Sequence, residues 1–463
     1  MKRFWLVLLT LGLVMAFSTS VFAADVKFTG SFYAAGMYLD NTSFMGNGLD
    51  KPSTAFYYQR MRIQAEFIAT PALKLVTRFD AMERMWGHVR STVPLVTAPD
   101  VDSYGTRAEN ENIAFDYAYV WYASKIGIFE VGIMEDGVWG TVFGDNSEPE
   151  GKIKYTFIKM PFIAGLQIVK FNEFSDNAVN ASIYTDRDVD KYQGFFIYNW
   201  KGGQAGLLCI FINNRSMKPN FWPTPITPTT TPSTYAQKIY GAQPFVKAKF
   251  GPVAVEAEAW YLGGEAVKWE DDAPIIPLVT TQDTDLSAWS VYVNAVADFN
   301  MFYFGGTFAY LSGDDPATTD KVEGGPGTVN GGRDWNPCLI MFNWDRNYWA
   351  GAMAGYGVGI SRTADSGVMT NAYFGQLKAG VRPISDLDIA LSVAYAKADK
   401  LPTGYSEKDY GWEVDATATY KITNNLSYML GAGFLFTGDY YKAATTNDVE
   451  DNFIVLNKLT LTF

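Results

Sequence analysis

Hydrophobic and polar residues alternate one by one along most of this chain, and the alternation is clearest in residues 411–421. One side of that segment is apolar with an aromatic residue at each end, whereas the other side carries Glu413, Asp415 and Lys421. The apolar side consists of Trp412, Val414, Ala416, Ala418 and Tyr420. A period of two is typical of a β-strand whose two faces meet different surroundings. We therefore predict a strand with one apolar face and one hydrated face.

The two aromatic residues of this strand are far enough apart to mark the edges of an apolar layer. Trp412 and Tyr420 are eight residues apart, which is about 26 Å along a strand that rises about 3.3 Å per residue. A tilt of about 40° reduces this length to about 20 Å of height, close to the apolar band of a transmembrane barrel and its aromatic girdles. The spacing predicts that the apolar face meets lipid.

The same alternation recurs along the chain and predicts about eighteen strands, with sixteen as the alternative. Some connections are short, such as 70–73 and 422–425, whereas others are long and rich in Gly, Pro, Asp and Thr. This asymmetry is typical of an antiparallel up-and-down β-barrel with short periplasmic turns and long extracellular loops. We predict an all-β fold in which residues 24–463 form one transmembrane barrel. Residues 338–361 could form a plug, an external hairpin or two more wall strands.

The first 23 residues have the features of a cleaved signal peptide. Lys2 and Arg3 precede an apolar stretch over 4–17, and the sequence 21–23 ends in a small residue suited to cleavage. No later stretch is long and apolar enough for a membrane helix. Export would therefore lead to the periplasm, the outer membrane or the exterior. The formal net charge of −12 argues against a nucleic acid partner, and two cysteines do not suggest a disulfide framework.

Charged residues cluster on one face of the second, third and fourth predicted strands. They are Arg60, Arg62, Glu66, Lys74, Arg78, Asp80, Arg84 and Asp116. On the fourth strand we expect Phe115, Tyr117, Tyr119 and Trp121 to point outward. A charge that faces lipid near the midplane costs about 2–4 kcal/mol, so we expect the charged residues, together with Glu413 and Asp415, to line a hydrated lumen. The alternative is that they neutralise one another inside a filled barrel.

The third long connection, residues 135–150, is rich in glycine and acidic residues. Its candidate acids are Asp136, Asp145, Glu148 and Glu150. If this loop folds into the barrel, these acids would face the basic cluster of Arg60, Arg62, Lys74, Arg78 and Arg84. Opposed charges at a constriction orient polar solutes and select ions by field and width.

The sequence contains little that could support catalysis or hold a cofactor. Its one histidine, His88, lies in a long polar connection, and with Asp100 or Asp102 it is the only candidate for a catalytic base. A solvated loop histidine is the simpler explanation. The acidic residues between 313 and 335 do not match the ligand spacing of an EF-hand. We predict no cofactor and no metal site, and we expect the Pro- and Thr-rich segment 219–234 to be an external loop.

The signal peptide, the alternating strands, the loop sequence 137–145 and the final strand 453–463 together resemble the Gram-negative outer-membrane porins. The resemblance implies that the barrel-assembly machinery reads Phe463, that the third loop narrows the lumen, and that lipid and lipopolysaccharide surround the wall. The strand number and the C-terminal segment 413–441 are also similar to the eighteen-stranded alginate-export and substrate-specific channels. General porins have sixteen strands, and this departure leaves both a homotrimer and an unspecific pore open.

These features predict an outer-membrane channel rather than an enzyme. The first hypothesis is a porin whose water-filled channel lets small hydrophilic solutes and ions diffuse passively. One alternative is a substrate-selective channel for sugars, oligosaccharides or carboxylates. The other is a structural sleeve or adhesin without transport.

Overall fold

The computed structural model describes residues 25–46, 53–87, 113–173, 187–216, 235–269, 282–325, 327–356, 364–365 and 367–463. The predicted signal peptide, His88, Asp100, Asp102 and the segment 219–234 lie outside the described residues.

Among the described residues, eighteen long strands form the wall of the molecule, as the alternation predicts. Numbered in chain order, the first nine are β1 Asp25–Leu39, β2 Thr54–Thr70, β3 Leu73–Met85, β4 Ile113–Ser124, β5 Gly127–Asp136, β6 Glu148–Lys159, β7 Phe162–Asn172, β8 Val189–Trp200 and β9 Gly203–Asn214. The other nine are β10 Tyr235–Phe250, β11 Val253–Trp269, β12 Thr284–Asp298, β13 Phe302–Leu311, β14 Ala372–Ile384, β15 Leu387–Ala398, β16 Asp409–Lys421, β17 Leu426–Thr437 and β18 Asn452–Thr462.

The first and last strands pair with each other and close the sheet. In the antiparallel register of β1 and β18, Ser31 lies opposite Thr462 and Leu39 lies opposite Ile454. The N–H of Phe463 donates to the carbonyl of Gly30 at 3.0 Å, and the N–H of Gly30 donates back to Phe463 at 2.8 Å. The other wall strands pair antiparallel with their sequence neighbours. The fold is therefore a closed antiparallel barrel of eighteen strands, which has no open sheet edge.

Short turns and long loops lie at opposite ends of this barrel. The short connections predicted from the sequence are turns of two to four residues between successive strands, such as 71–72 and 422–425. The longest connection joins β13 to β14 and spans residues 312–371. Because the strand number is even, the first and last strands both reach the short-turn end.

Strand β16 illustrates how the alternation separates the two faces of the wall. Trp412 is 52% exposed and Tyr420 is 46% exposed on the outer face. The ring of Trp412 lies 4.6 Å from that of Tyr395 on the neighbouring β15. On the inner face, Glu413 and Asp415 are buried. Successive side chains of a strand point to opposite faces, so every second position of β16 is directed into the barrel.

The inner face of β4 differs from the prediction because of a β-bulge. The register between β3 and β4 shifts after Arg78, which pairs with Tyr117, and Asp116 is the extra residue. An extra residue inverts the phase of the alternation. The guanidinium of Arg78 lies 3.6 Å from the ring centre of the buried Tyr117, and Lys74 lies 4.9 Å from the ring centre of Trp121. Of the four aromatic residues predicted to point outward, Phe115 does so, and the prediction is wrong for Tyr117, Tyr119 and Trp121.

The main apolar core lies inside the barrel, near its long loops. It joins inner-face residues such as Tyr33, Met37, Tyr58, Tyr292 and Phe374 to Trp335, Ile340, Met341, Phe342 and Trp349 of the longest connection. The described part of 338–361 therefore adds no strand to the wall and packs within the barrel. It contains the short helix α1, Trp344–Ala350. Across the described ranges, no helix is long and apolar enough to cross a membrane.

Candidate functional site

The third loop, residues 137–147 between β5 and β6 and named L3 here, folds into the barrel and rests on β10 to β12. The indole Nε1 of Trp139 donates to the carbonyl of Gln243 at 2.9 Å. The ring of Phe143 stacks on Tyr292 with 4.8 Å between ring centres. Gly140 has a φ of 65°, which a side chain would strain. Since β10 to β12 are several strands away from β5 around the wall, L3 extends through the lumen.

Glu258 on the inner face of β11 fastens L3 to this wall. It is 2% exposed, and it accepts hydrogen bonds from the N–H of Thr141 at 2.6 Å and from Nε2 of Gln243 at 2.6 Å. Nε1 of Trp260 also donates to it at 2.9 Å. A buried carboxylate requires donors of this kind to offset its lost hydration. Glu258 therefore links the backbone of L3 to β10 and β11.

The seventh long connection, residues 312–371 and named L7 here, meets L3 inside the barrel. The N–H of Gly332 donates to Phe143 at 2.6 Å, and the N–H of Asp334 donates to the carbonyl of Asp145 at 3.0 Å. The hydroxyl of Ser147 donates to Asp334 at 2.6 Å. These bonds connect the two loops through both backbone and side chains, so L3 and L7 form one inserted unit.

The opposite side of L7 is held by two carboxylates of β16. Glu413 accepts the N–H of Ile340 at 2.6 Å and that of Met341 at 2.7 Å. Asp415 accepts the N–H of Leu339 at 3.3 Å. Both residues were predicted to be lumen charges. The structure places them on the inner face, where L7 covers them.

Helix α1 carries L7 towards β1 and β2. The side chain of Asn343 caps it by accepting the N–H of Arg346 at 2.7 Å. The buried Arg346 donates to the carbonyls of Ile340 at 3.2 Å and Gly351 at 3.0 Å. These bonds connect α1 to the backbone that precedes it and to the backbone that follows it. As a result, Trp349 packs on Tyr58 of β2 with 4.5 Å between ring centres.

Four residues of the predicted basic cluster lie on the inner faces of β2 and β3, and acids of the same wall neutralise much of their charge. Arg62 donates to both carboxylate oxygens of Asp80, at 2.7 and 2.6 Å. The other pairs are Arg60 with Glu83 at 3.4 Å, Lys74 with Glu66 at 3.0 Å and Arg78 with Asp116 at 3.1 Å. The prediction is wrong for Arg84. A β-bulge at Met82 inverts the phase of β3, so Arg84 lies opposite Gln59 on the outer face, the face on which Trp86 stacks on the exposed Tyr57. We call the eight inner-face residues, Arg60, Arg62, Glu66, Lys74, Arg78, Asp80, Glu83 and Asp116, the charged ladder.

The acids that were predicted to face the basic cluster from the third loop have other neighbours than the basic cluster. Asp136 is buried at the end of β5, where it pairs with Lys152 at 2.8 Å and with Lys191. Glu148 pairs with Arg333 of L7. Glu150 lies opposite Met134 in the register of β5 and β6, and Asp145 accepts the N–H of Trp139 at 2.8 Å. Glu135, at the end of β5, lies 3.7 Å from Arg78 of the ladder.

Burial raises the pKa of Asp145 to about 7. The hydrogen bond from the N–H of Trp139 opposes this shift, whereas the nearby carboxylates of Glu258 and Asp334 add to it. Asp145 can therefore change its charge near neutral pH at the junction of L3 and L7.

Three residues beside the ladder were not candidates in the sequence analysis: Asp345, Tyr348 and Lys458. Asp345 of α1 lies 3.6 Å from Lys458 of β18, and Lys458 lies 4.4 Å from the ring centre of Tyr33. Burial, with a further contribution from Glu83, raises the pKa of Tyr348 to about 12. The lumen positions of Asp345 and Tyr348 could be predicted only by recognising that the aromatic segment 338–361 folds inward. The few charged residues within this apolar segment were the available signal.

Two cavities lie beside the inserted part of L7. The first, of about 580 Å³, is lined by polar residues of the wall such as Asn294, Gln376, Lys378 and Lys458 together with Asp345. The second, of about 860 Å³, lies among L3, L7 and the last two long loops, and Arg333, Trp344, Tyr410 and Tyr440 contribute to its lining. Both linings combine polar and aromatic side chains.

No model of a known protein family matches this chain, and no curated protein matches it. Solved structures do match. OccK9 (OpdG) of Pseudomonas aeruginosa is 13% identical over 94% of this chain and 99% of that chain, with a TM-score of 0.50. OccK11 (OpdR) of the same species is 11% identical over 95% and 96% of the two chains, with a TM-score of 0.49. OmpF of Salmonella typhi is 14% identical over 95% and 98%, with a TM-score of 0.41.

The likeness to OccK9 concerns the fold, since its sequence identity is low. The closed eighteen-stranded antiparallel barrel of this chain is the fold of outer-membrane porins and channels.

Proposed function

We propose that this protein is an outer-membrane channel through which small hydrophilic solutes and ions diffuse passively. The observation that carries the proposal is the charged ladder on the inner face of a closed barrel whose outer face is apolar. Charges at this density are stable only in contact with water or with each other, and the side chains of a barrel this wide do not fill it. No energy source or cofactor is part of the proposal.

The inserted unit of L3 and L7 sets the width of this channel. It occupies the lumen beside β10 to β18, and α1 reaches across to β2, where Trp349 packs on Tyr58 and Tyr348 forms a hydrogen bond with Glu83 of the ladder. Asp345 and Tyr348 would then form the L7 side of the constriction next to this contact, with Arg60 and Glu83 on the wall. The sequence predicted that acids of L3 face the arginines across the lumen. In the proposed constriction, α1 of L7 faces the charged ladder instead.

Liposome swelling tests the passive channel directly. Purified protein is refolded into liposomes, which are then diluted into isotonic solutions of uncharged sugars of increasing size. We expect swelling rates that fall smoothly with solute size. Liposomes that swell no faster than protein-free ones, although the protein has refolded, would contradict the proposal and favour a structural sleeve or adhesin.

A substrate-selective channel is the second candidate, because the inserted unit fills much of the lumen and presents aromatic and charged residues to solutes. The candidate classes are oligosaccharides and carboxylates. Titration of each class into an open channel separates the two functions. Reversible interruption of the ion current by one class, with no effect of size-matched solutes of the other, would favour selectivity.

The C-terminal residue supports a proposal about assembly. Phe463 directly follows the last strand and is 50% exposed, so its ring is accessible to the barrel-assembly machinery. We expect Phe463→Ala to lower the amount of protein in the outer membrane of cells while leaving refolding in detergent unchanged. Equal loss in both settings would assign Phe463 a role in stability only. Oligomeric state is a separate question, for which sedimentation in detergent distinguishes a monomer from a homotrimer.

A further inference from the structure

A thiol and two carboxylates meet beneath L7 on the inner face of β16. The Sγ of Cys338 and one oxygen each of Glu413 and Asp415 lie within 4.8 Å of one another. All three residues are buried, with exposed fractions of 2%, 0% and 5%. Cys338 is distant in sequence from the two acids, so no spacing motif predicted this cluster.

The two carboxylates need more compensation than the surrounding protein gives them. The groups that act on them are each other, backbone N–H groups of L7 and the hydroxyl of Ser392, with no lysine or arginine among these. Oδ1 of Asp415 is buried and has no hydrogen-bond partner among the described residues. Adjacent buried carboxylates repel each other and lose their hydration. A shared proton or a bound cation would relieve both costs.

Neighbouring groups position the carboxylate of Glu413 and the backbone that carries Cys338. The N–H groups of Ile340 and Met341 orient Glu413. Nδ2 of Asn343 donates to the carbonyl of Cys338 at 2.6 Å. Nε2 of Gln376 donates to the carbonyl of Pro337 at 2.6 Å. Outer hydrogen bonds of this kind orient the ligands of metal sites.

We propose that Cys338, Glu413 and Asp415 bind a divalent transition metal ion such as Zn²⁺. One sulfur and two carboxylate oxygens suit Zn²⁺, whereas Ca²⁺ and Mg²⁺ prefer oxygen ligands alone. Cys338 and Asp415 also line the cavity of about 580 Å³, which supplies an entry path and space for a fourth ligand. The ion would compensate the two buried negative charges and tie L7 to β16.

Cobalt binding tests the site without any transport measurement. Co²⁺ is titrated into refolded, reduced protein in detergent micelles, and the thiolate-to-cobalt charge-transfer absorption is recorded. We expect one Co²⁺ per chain, with an absorption band that Zn²⁺ abolishes by displacement, since Zn²⁺ binds such sites more tightly. Cys338→Ser should abolish the band, and Asp415→Asn should weaken Co²⁺ binding by at least about tenfold.

Cys209→Ser is the matched control, because Cys209 lies exposed on β9 outside the cluster. It should leave the band and the affinity unchanged. Absence of a saturable band in the refolded unmodified protein would overturn the proposal and leave the shared proton as the explanation. A band that is lost in Cys209→Ser would also overturn it. Either result would leave the proposed channel untouched, because the titration requires no membrane.

Discussion

The charged ladder gives the most quantitative prediction about ion passage. It contains four basic and four acidic side chains, a net charge of zero. Replacing Arg60, Arg62 and Arg78 by glutamine changes this to −3 and leaves Asp80, Glu83 and Asp116 without their partners. We expect the triple variant to favour cations more strongly than the unmodified protein does.

The size of the effect follows from the charge change and the width of the pore. Each charge acts on an ion about 8 Å away through water with about 0.5 kcal/mol. Three charges, reduced roughly twofold by 0.1 M salt, amount to about 0.7 kcal/mol. A cation gains this energy and an anion loses it, so the cation-to-anion permeability ratio should rise about tenfold.

The assay is the reversal potential of a single channel in a planar bilayer under a salt gradient. A control variant removes three lysines from ion pairs at the long-loop end of the barrel, Lys268, Lys400 and Lys442. It has the same total charge change and should shift the reversal potential much less. Replacing the three ladder arginines by lysine should preserve the unmodified value. If the glutamine variant folds and its reversal potential does not move, these arginines do not line the path of the ions.

Three further predictions concern the inserted loops. Glu258→Ala removes an acceptor whose hydrogen bonds are worth about 1.5–3 kcal/mol each. L3 should therefore detach from the wall more often, and the single-channel current noise should increase. Equal noise in the variant and the unmodified protein would contradict the anchoring role of Glu258. Because the pKa of Asp145 is raised above the usual value of about 3.9, L3 should dock best below about pH 4 and loosen as the pH rises to about 7. Current noise should follow that change, and Asp145→Asn should remove it. Arg346→Ala should speed proteolysis of L7, whereas Arg333→Ala, at a more exposed position, should not.

The wall of the barrel was predictable because a membrane imposes strict alternation on every strand. In β16 the outward Trp412 and the inward Glu413 could both be assigned from period two alone. The assignment failed on β4, where the bulge at Asp116 reverses the phase. Such a bulge depends on pairing with β3, which the sequence of β4 does not reveal.

The inserted loops were less predictable because their positions depend on contacts between distant parts of the chain. The acidic L3 suggested an inward fold, but its actual position depends on Glu258, which belongs to another strand. Glu413 was predicted as a lumen charge without any sign that it would accept hydrogen bonds from L7. The aromatic segment 338–361 was compatible with wall, plug or hairpin, and only its packing on Tyr58 and Glu413 distinguishes these alternatives.

The measurement that most directly tests the central claim is the conductance of the purified, refolded protein in a planar lipid bilayer. If the barrel is a channel, dilute protein should produce discrete, uniform steps in current at constant voltage in potassium chloride solution. The contradictory result is a membrane that contains folded protein, verified by its resistance to unfolding in detergent, and that shows no current steps above those of a protein-free bilayer.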